Sequence, residues 1–182
     1  MNKEIHRETW PVLERVLEYD NDWYSGGYDR VIQPDGREKN YFWASLPDAV
    51  VVVARTGDEL VFVKQYRPAI REWCWELPAG LVESDESFEQ AGRRELAEET
   101  GFEASEVILM EEFWCSTGLL DHRRGMVFAE DLNEVATDRG QNEFISVEQV
   151  PVEKALSVAR QSPANDATLE GILLAKEDGF LP

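Results

Sequence analysis

The first third of the chain alternates short apolar stretches with turn residues, and this pattern predicts β-strands. The apolar stretches are rich in aromatic and β-branched residues, which favour an extended backbone. The strands predicted there are Val12–Tyr19, Tyr24–Ile32 and Tyr41–Leu46. Gly26-Gly27 predicts a bulge within the second strand. Pro34-Asp35-Gly36 predicts a tight turn, because proline presets φ and glycine tolerates positive φ.

A nearly continuous apolar run follows at Asp48–Arg55. Such a run predicts a strand that is buried on both faces of a sheet. The turn residues Thr56–Glu59 then lead into a second predicted strand, Leu60–Gln65. Two strands that are joined by so short a turn predict a β-hairpin.

The spacing of apolar residues changes from strand-like to helical near Ser87. The inward-facing positions of this predicted helix are Phe88, Ala91, Leu96 and Thr100, and Gly101 predicts its end. Further strands are predicted at about Val107–Phe113, Met126–Ala129 and Phe144–Val150. Two helices are predicted after them, one that begins at Pro151 and one over Asp166–Glu177, with Ser162-Pro163 between them. Helices and strands mixed in this way predict layers around one extended sheet.

Length and composition limit the class of protein. A chain of 182 residues, 43% of them hydrophobic, can bury the core of one domain with a small extension. No apolar run approaches the roughly 20 residues that span a bilayer, and the N-terminus has no apolar signal segment. These features predict a cytoplasmic protein that does not enter a membrane. Cys74 and Cys115 are predicted to be reduced, and a catalytic thiol is not expected, since His6 and His122 are the only histidines.

The charge balance is strongly acidic, because 18 basic and 37 acidic side chains give a net charge of −19. A field of this sign repels phosphate backbones, so the chain is not expected to bind nucleic acid. Only 5 of the basic residues are lysines, and 13 are arginines. Acid-rich and lysine-poor composition predicts a halophilic protein that is kept soluble in concentrated salt, where the repulsion is screened. The alternative is an ordinary acidic cytoplasmic protein.

Residues 80–102, with the sequence GLVESDESFEQAGRRELAEETGF, carry the candidate chemistry. On a helix, Glu95, Glu98 and Glu99 would project from one side, about one turn apart. Three crowded carboxylates repel one another and need a cation, and Mg²⁺ is suited because it prefers oxygen ligands. Arg94 could hold one carboxylate by a bidentate contact. Gly80 could bring the backbone close to a metal or a phosphate.

An acidic helix face that is simply solvated is the competing interpretation of the three glutamates. The full pattern argues against it, since two glycines, an arginine and two apolar residues also stand at fixed spacing. The segment fits Gx5Ex7REUxEExGU, where U is a bulky apolar residue, at every specified position. In this segment the chain resembles the Nudix hydrolases. The resemblance implies an α+β fold, a Nudix-type α/β/α sandwich around a mixed β-sheet.

Segments outside this pattern resemble the ADP-ribose and ADP-sugar pyrophosphatases of the superfamily. They include VKQYRPAIREWCWELPAGLVE (63–83), the loop at 116–121, NEFISVEQVP (142–151), the tail PANDATLEGILLA and the N-terminal strands. The resemblance implies an N-terminal antiparallel β extension over residues 1–46 that pairs into a homodimer, followed by the Nudix domain over residues 47–182. One departure is Thr117, where the family usually has a proline that stiffens the loop. This departure leaves the preferred substrate open.

The resemblance also implies roles for individual residues. The metal ligands would be the Ala79 carbonyl and the side chains of Glu95, Glu98 and Glu99. Substrate contacts would come from Arg67, Gly80, Glu86 and Gly118. Glu143 would be the base that takes a proton from water, with Glu98 and Arg94 as further catalytic residues.

Several of these residues have a competing structural interpretation. Arg67 could form a surface salt bridge, Glu86 could support the loop, and Glu143 could be one more surface acid. The aromatic residues that could stack on an adenine across a dimer, or simply pack within strands, are Trp23, Tyr24 and Tyr28. Trp73 and Trp75 are predicted to lie in the core.

The predicted reaction is the Mg²⁺-dependent hydrolysis of a small molecule that contains a nucleoside diphosphate, with Mn²⁺ as an alternative ion. For ADP-ribose the products would be AMP and ribose 5-phosphate. Another nucleoside diphosphate sugar or a dinucleoside polyphosphate is the alternative substrate. Two rival classes of function are a Nudix-fold module that binds a nucleotide without cleaving it, and a scaffold protein whose acidity recruits partners.

Overall fold

The computed structural model describes residues 9–136 and 145–182, which fall into two compact units. The smaller unit contains residues 9–47 and 114–122, and the larger unit contains the other described residues. The strands are β1 (Val12–Asp20), β2 (Ser25–Ile32), β3 (Glu38–Ser45), β4 (Ala49–Thr56), β5 (Glu59–Arg67), β6 (Glu72–Glu76), β7 (Ala79–Leu81), β8 (Phe102–Trp114), β9 (Leu120–Asp121), β10 (Arg123–Glu134) and β11 (Ile145–Pro151). The helices are α1 (Phe88–Thr100), α2 (Val152–Ala159) and α3 (Asp166–Glu177).

The smaller unit is one four-stranded sheet in the order β1-β2-β3-β9. β1, β2 and β3 are antiparallel neighbours, whereas the two-residue β9 runs parallel to β3. The pairing of β9 is why the smaller unit includes residues 114–122, which the sequence assigns to the other domain. The register shifts between the pairs Leu17↔Gly27 and Tyr19↔Gly26, where β1 advances by two residues and β2 by one. The bulge therefore lies in β1 and not, as predicted, in the second strand. A Cβ on Gly27 would lie 1.9 Å from the carbonyl oxygen of Val16, so glycine is required where the strands approach.

Two glycines with left-handed backbone close the predicted tight turns. Gly36 has a φ of 84° between β2 and β3, and Gly57 has a φ of 58° between β4 and β5. The predicted hairpin of β4 and β5 is confirmed, since Arg55 pairs with Leu60 beside the second turn. Both turns therefore form where glycine permits a conformation that other residues rarely adopt.

The larger unit is built on a seven-stranded mixed sheet. Its main path has the order β11-β5-β4-β10-β8, with β6 paired to β5 and β7 paired to β4. β4 runs parallel to β10, whereas β5 runs antiparallel to β4, β6 and β11. Central β4 is buried at all of its valines, as the apolar run predicts.

Helices cover both faces of the larger sheet. On one face, Val50 and Val52 pack in an apolar cluster with Leu96 of α1. On the other face, Val51 packs with Ile172 of α3, and α2 contributes to the same cluster. Side chains alternate between faces along a strand, so β4 fills both clusters. The predicted α/β/α sandwich around a mixed sheet is confirmed.

α1 begins and ends at the residues that the sequence predicts. Ser87 accepts a hydrogen bond from the Gln90 N–H at 3.3 Å, and the Gln90 side chain accepts one from the Ser87 N–H at 2.8 Å, which forms a capping box. Gly101 ends the helix with a φ of 76°. Ala91 and Leu96 are fully buried against the sheet. The caps and this apolar contact fix both the position and the rotation of α1.

The structure differs from the predicted elements at short strands and at strands with polar ends. The sequence does not predict β6, which has a glutamate at each end, or β7, which has three residues. β8 and β10 extend beyond the predicted ranges, because their outer parts include polar and exposed positions. The prediction that Trp73 lies in the core is wrong, since this residue is 50% exposed, whereas Trp75 packs against the core.

Two sequence-based expectations about the chain as a whole can be compared with its described part. Cys74 is buried, Cys115 is half-buried, and both are free thiols. Between residues 9–136 and 145–182, no helix is long and apolar enough to cross a membrane.

Candidate active site

β7 and α1 bring two residues of the 80–102 pattern into close contact. The carboxylate of Glu95 on α1 lies against the backbone of Gly80 in β7. A Cβ at position 80 would lie 2.0 Å from the Glu95 Cδ. Glycine therefore lets the Glu95 carboxylate lie against β7, and a methyl group at position 80 would displace this carboxylate.

Glu99 is the most deeply buried glutamate of α1. It is 6% exposed, and its Oε2 accepts a hydrogen bond from the Ala79 N–H at 3.1 Å. A buried carboxylate is costly unless it is hydrogen-bonded or paired, so this contact helps to hold β7 against the helix. Glu95 and Glu99 lie about one turn apart on α1. Both carboxylates consequently converge on the backbone of Ala79 and Gly80.

Arg94 joins the acidic side chains of this region into one network. Its Nε and Nη2 donate to the two carboxylate oxygens of Glu86, each at 2.9 Å, which is a bidentate contact of the predicted kind. Its Nη1 donates to Glu95 at 2.7 Å and to Glu98 at 3.2 Å. Its Nη2 also donates to the Leu81 carbonyl at 2.8 Å. One guanidinium thus contacts three carboxylates and the backbone of β7.

The contacts of Arg94 change the proton affinity of its main partner. The side-chain hydrogen bond from Arg94 lowers the pKa of Glu86, and the bond to Glu86 raises the pKa of Arg94. Glu86 also accepts a hydrogen bond from the Glu83 N–H at 3.0 Å. Glu86 therefore remains an anion at neutral pH and ties the turn before α1 to the helix itself.

Two hydrogen bonds from distant elements hold the segment that leads into β7. The Pro78 carbonyl accepts a bond from the Val52 N–H at 2.8 Å, and the Leu77 N–H donates to the Thr168 Oγ1 at 3.2 Å. Thr168 lies on α3 and is buried. Its part in holding this segment is missed by sequence reasoning, because nothing local distinguishes Thr168 from other helix residues.

The donor set beside β7 suits a hard divalent cation. The candidate ligands are the carboxylates of Glu95, Glu98 and Glu99 and the Ala79 carbonyl. All of them are oxygen donors, which Mg²⁺ prefers. Across the part of the chain that the structure describes, no three acidic, histidine or cysteine side chains form a group that could hold a metal ion together. Instead, Arg94 lies between Glu95 and Glu98 and supplies the positive charge. The residues fit a divalent cation by their chemistry, and their present geometry is that of an ion-pair network.

Arg67 is the last residue of β5. It pairs with a carboxylate that the sequence does not single out. Glu76 of β6 accepts a hydrogen bond from the Arg67 Nε at 2.9 Å and also binds its Nη2. The side chain of Glu76 is 4% exposed, whereas that of Arg67 is 42% exposed. The hydrogen bond to Glu76 is the main cause of the raised pKa of Arg67. A salt bridge of Arg67 is therefore present, and its acidic partner is buried.

Two further predicted site residues belong to other parts of the chain. Gly118 belongs to the smaller unit, where it lines a cavity of about 240 Å³ together with Tyr41 and Trp43. Glu143 lies outside the described residues. The residues that the structure brings together are Ala79, Gly80, Glu86, Arg94, Glu95, Glu98 and Glu99.

The aromatic residues considered for stacking are in the smaller unit. Trp23 is exposed, and Tyr24 stacks on Tyr19 with ring centroids 5.1 Å apart. Tyr28 contacts Phe42 at a centroid distance of 5.6 Å. Tyr24 and Tyr28 therefore have aromatic partners within their own sheet.

Comparison with known proteins assigns the chain to a family. The family model of the NUDIX domain matches residues 45–170, which is more than half of the chain. This chain belongs to the Nudix family. ADP-ribose pyrophosphatase of Bacillus subtilis is 32% identical over 137 residues, which cover 74% of each chain. The methanol dehydrogenase activator of Bacillus methanolicus is 30% identical over 142 residues, which cover 76% of this chain and 77% of that protein.

A solved structure supports the Nudix fold independently. The crystal structure of an ADP compounds hydrolase matches with a TM-score of 0.85 and covers 93% of this chain and 94% of that one. Its sequence identity is 19%, so this likeness concerns the fold. The predicted superfamily is confirmed, and the chain is a Nudix pyrophosphohydrolase. Nudix hydrolases act on small nucleoside diphosphate compounds and generally need a divalent metal, commonly Mg²⁺.

Proposed function

We propose that this Nudix enzyme hydrolyses ADP-ribose to AMP and ribose 5-phosphate in the cytoplasm, with Mg²⁺ as the metal and Mn²⁺ as an effective substitute. The observation that carries the proposal is the convergence of Glu95 and Glu99 on the backbone of Ala79 and Gly80. This arrangement concentrates negative charge where a divalent cation and a diphosphate can meet. The name of the Bacillus subtilis relative, ADP-ribose pyrophosphatase, supports the choice of substrate.

The carboxylates of α1 are the proposed metal-binding residues. Glu95, Glu98 and Glu99 would bind the metal together with the Ala79 carbonyl. When bound, Mg²⁺ neutralises the diphosphate oxygens and the charge that develops on the leaving phosphate. Arg94 would keep the carboxylates in place through its contacts with them.

Residues outside the helix would act on the water and the substrate. Glu143 would take a proton from a water molecule as that water attacks one phosphorus in line and the P–O bond of the diphosphate bridge breaks. A carboxylate that does not bind metal directly is the better proton acceptor. Arg67 would bind the diphosphate oxygens. The other proposed substrate contacts are Gly80, Glu86 and Gly118.

A second candidate substrate is another nucleoside diphosphate sugar or a dinucleoside polyphosphate. Thr117 replaces the usual proline of the 116–121 loop, so the loop lacks one restraint on its backbone. A matched relative is also named as a methanol dehydrogenase activator, so the names of the relatives extend beyond ADP-ribose. A module that only binds nucleotides is disfavoured, because it would have no need for so many adjacent carboxylates.

A panel of nucleoside diphosphate compounds tests the proposal. We expect ADP-ribose to give the highest kcat/KM with Mg²⁺, as measured by release of AMP. Excess chelator should abolish turnover, and added Mg²⁺ or Mn²⁺ should restore it. Full turnover in chelator would contradict the metal dependence, and a higher kcat/KM for another compound would replace the substrate.

The variant Glu99→Gln tests the ligand assignment, because it removes the charge and keeps the volume. We expect turnover to fall on the order of a hundredfold or more, since metal catalysis is worth several kcal/mol. The melting temperature should change little. Glu106→Gln, an exposed carboxylate on β8, is the matched control. Near-normal turnover of Glu99→Gln at saturating metal would show that Glu99 is not a ligand.

We also propose that the smaller unit forms the interface of a homodimer. β1 is exposed along almost its whole length and carries large apolar side chains such as Val12 and Leu17. Exposed apolar patches of this kind are typical of protein interfaces. Light scattering under native conditions should give twice the mass of the chain, and Leu17→Asp should shift the protein toward the monomer. A monomeric wild type would contradict the proposal.

A further inference from the structure

We infer that Glu76 is a positioning residue that holds Arg67 in the orientation needed to bind the diphosphate of the substrate. The inference rests on the proposed hydrolysis of a nucleoside diphosphate compound. Glu76 lies outside the 80–102 pattern, and its charge alone would class it with the many surface acids of this chain. The geometry of β5 and β6 gives it a different role.

The strand register places Glu76 and Arg67 on the sheet face that carries α1. Arg67 lies on the same side of β5 as Val61, which belongs to the apolar cluster under α1. Glu76 lies directly opposite Val63 in the β5–β6 ladder, so its side chain points to this face as well. The ladder partner of Arg67 is Glu72, so the arginine side chain runs back along the sheet to reach Glu76.

The ion pair fixes one edge of the arginine and leaves the other edge available. Glu76 is buried and binds the Nε and Nη2 atoms of Arg67, and a buried charge is stable only when it is paired in this way. Within residues 9–136 and 145–182, no hydrogen bond is made by the Arg67 Nη1. Because the guanidinium is a rigid plane, fixing one edge also sets the direction of the other. The free edge of this partly exposed side chain can therefore bind an anion.

Glu76 also connects Arg67 to the backbone beside the carboxylates of α1. It is the last residue of β6, and the chain then runs through Leu77 and Pro78 to Ala79, which donates to Glu99. The attraction of Glu99 contributes to the raised pKa of Arg67, so the two side chains lie within electrostatic range. A diphosphate bound by Arg67 would consequently lie near the proposed metal ligands.

The variant Glu76→Gln tests the role, because it keeps the shape of the side chain and removes its charge. We expect KM for ADP-ribose to rise roughly ten- to hundredfold, the factor that corresponds to a hydrogen bond with a charged group, with little change in kcat. The Kd of α,β-methylene-ADP, measured by calorimetry with Mg²⁺, should rise by the same factor. Glu72→Gln is the matched control, because Glu72 is an exposed acid directly opposite Arg67 in the ladder. Its KM and Kd should equal those of the wild type.

A double-variant cycle separates positioning from general support of the loop. Arg67→Ala should raise KM and Kd, and the addition of Glu76→Gln on that background should raise them no further. A further rise of the same factor would show that Glu76 acts without Arg67, and it would overturn the inference. Wild-type values for Glu76→Gln alone would also overturn it.

A conservative variant covers the case in which Glu76→Gln does not fold, as judged by its melting temperature. Arg67→Lys keeps the positive charge and loses the planar fork, so it cannot be held at one edge. We expect its KM and Kd to rise as those of Glu76→Gln would. Wild-type values for Arg67→Lys would overturn the inference.

The outcomes also distinguish this inference from the proposed function. If the wild type cleaves no compound of the panel, but Glu76→Gln weakens its binding of α,β-methylene-ADP, the proposed hydrolysis fails and the positioning role stands. If the wild type cleaves ADP-ribose and Glu76→Gln matches it in KM and Kd, only the positioning role fails. A wild type that neither binds nor cleaves would overturn both.

Discussion

The two sheets of this chain differ in how far their apolar side chains are buried. In the seven-stranded sheet, Val50–Val53 of β4 and Leu60–Val63 of β5 are almost completely buried. In the described part of the four-stranded sheet's unit, Val31 is the single buried apolar residue, whereas Leu17 is 56% exposed. The larger sheet is therefore stabilised by the helices of its own unit. The smaller sheet keeps most of its large apolar side chains exposed.

The candidate metal-binding glutamates Glu95, Glu98 and Glu99 all lie in the larger unit. The glutamates of α1 lie on a helix that is anchored to the sheet through the fully buried Ala91 and Leu96. The smaller unit instead offers exposed aromatic side chains on a single sheet. Sites that must hold several charged groups in place depend on such rigid support. The comparison therefore predicts different responses to substitution in the two units.

The largest effect should come from Glu143, which follows the β10 end of the larger unit in sequence but lies outside the described residues. If it is the base, Glu143→Gln should lower kcat by about 10²–10⁴-fold and leave substrate affinity and melting temperature nearly unchanged. Glu148→Gln, an exposed acid on β11, is the control. An equal loss from Glu148→Gln would show an effect of loop charge, and a minor loss from Glu143→Gln would return the role of base to the glutamates of α1.

A pair of leucine substitutions tests the comparison of the two sheets directly. Leu96→Ala should lower the free energy of unfolding by about 2–5 kcal/mol, since it leaves a cavity in the core under α1. Leu17→Ala on β1 should cost less than about 0.5 kcal/mol in the monomer, because its side chain is already exposed. Urea denaturation at several protein concentrations measures both. The comparison would be wrong if both substitutions lowered the free energy of unfolding equally and neither loss depended on protein concentration. Leu17 would then belong to a core within the monomer.

The smallest effect should be the response to salt, which acts on both units through the net charge of −19. The Debye length falls from roughly 10 Å at 0.1 M to about 3 Å at 1 M, so the repulsion between exposed acids is screened. We expect the melting temperature to rise over this range of sodium chloride. A melting temperature that stays flat or falls would reject the halophilic interpretation of the composition.

Sequence patterns predict the fold best where local preference and burial demand the same structure. α1 has its N-cap at Ser87, its end at Gly101 and its apolar residues at helical spacing, and each of these features is visible in the sequence. The predicted helix Asp166–Glu177 has the bounds of α3. Strand β4 was predictable because an uninterrupted apolar run of that length is typical of burial on both faces.

Contacts between distant elements were beyond the reach of the sequence. Glu76 has the composition of a surface residue, and its burial arises only when β6 pairs with β5. Thr168 becomes the partner of Leu77 only once α3 has packed on the sheet. Strand β9 has two residues, which is too short to show any periodicity, so its place in the smaller unit could not be predicted.

The contact between Gly80 and Glu95 changes how a Nudix pattern can be used to judge an unfamiliar chain. Its letters form pairs that touch, since Gly80 leaves room for Glu95 and Glu86 binds Arg94. The spacing of the pattern therefore reflects which residues contact one another in the folded chain. A larger residue at the first position would displace the Glu95 carboxylate from β7, so these two positions are coupled in the folded chain. A search that scores the two positions jointly would use this coupling, whereas a search that scores each position alone would ignore it.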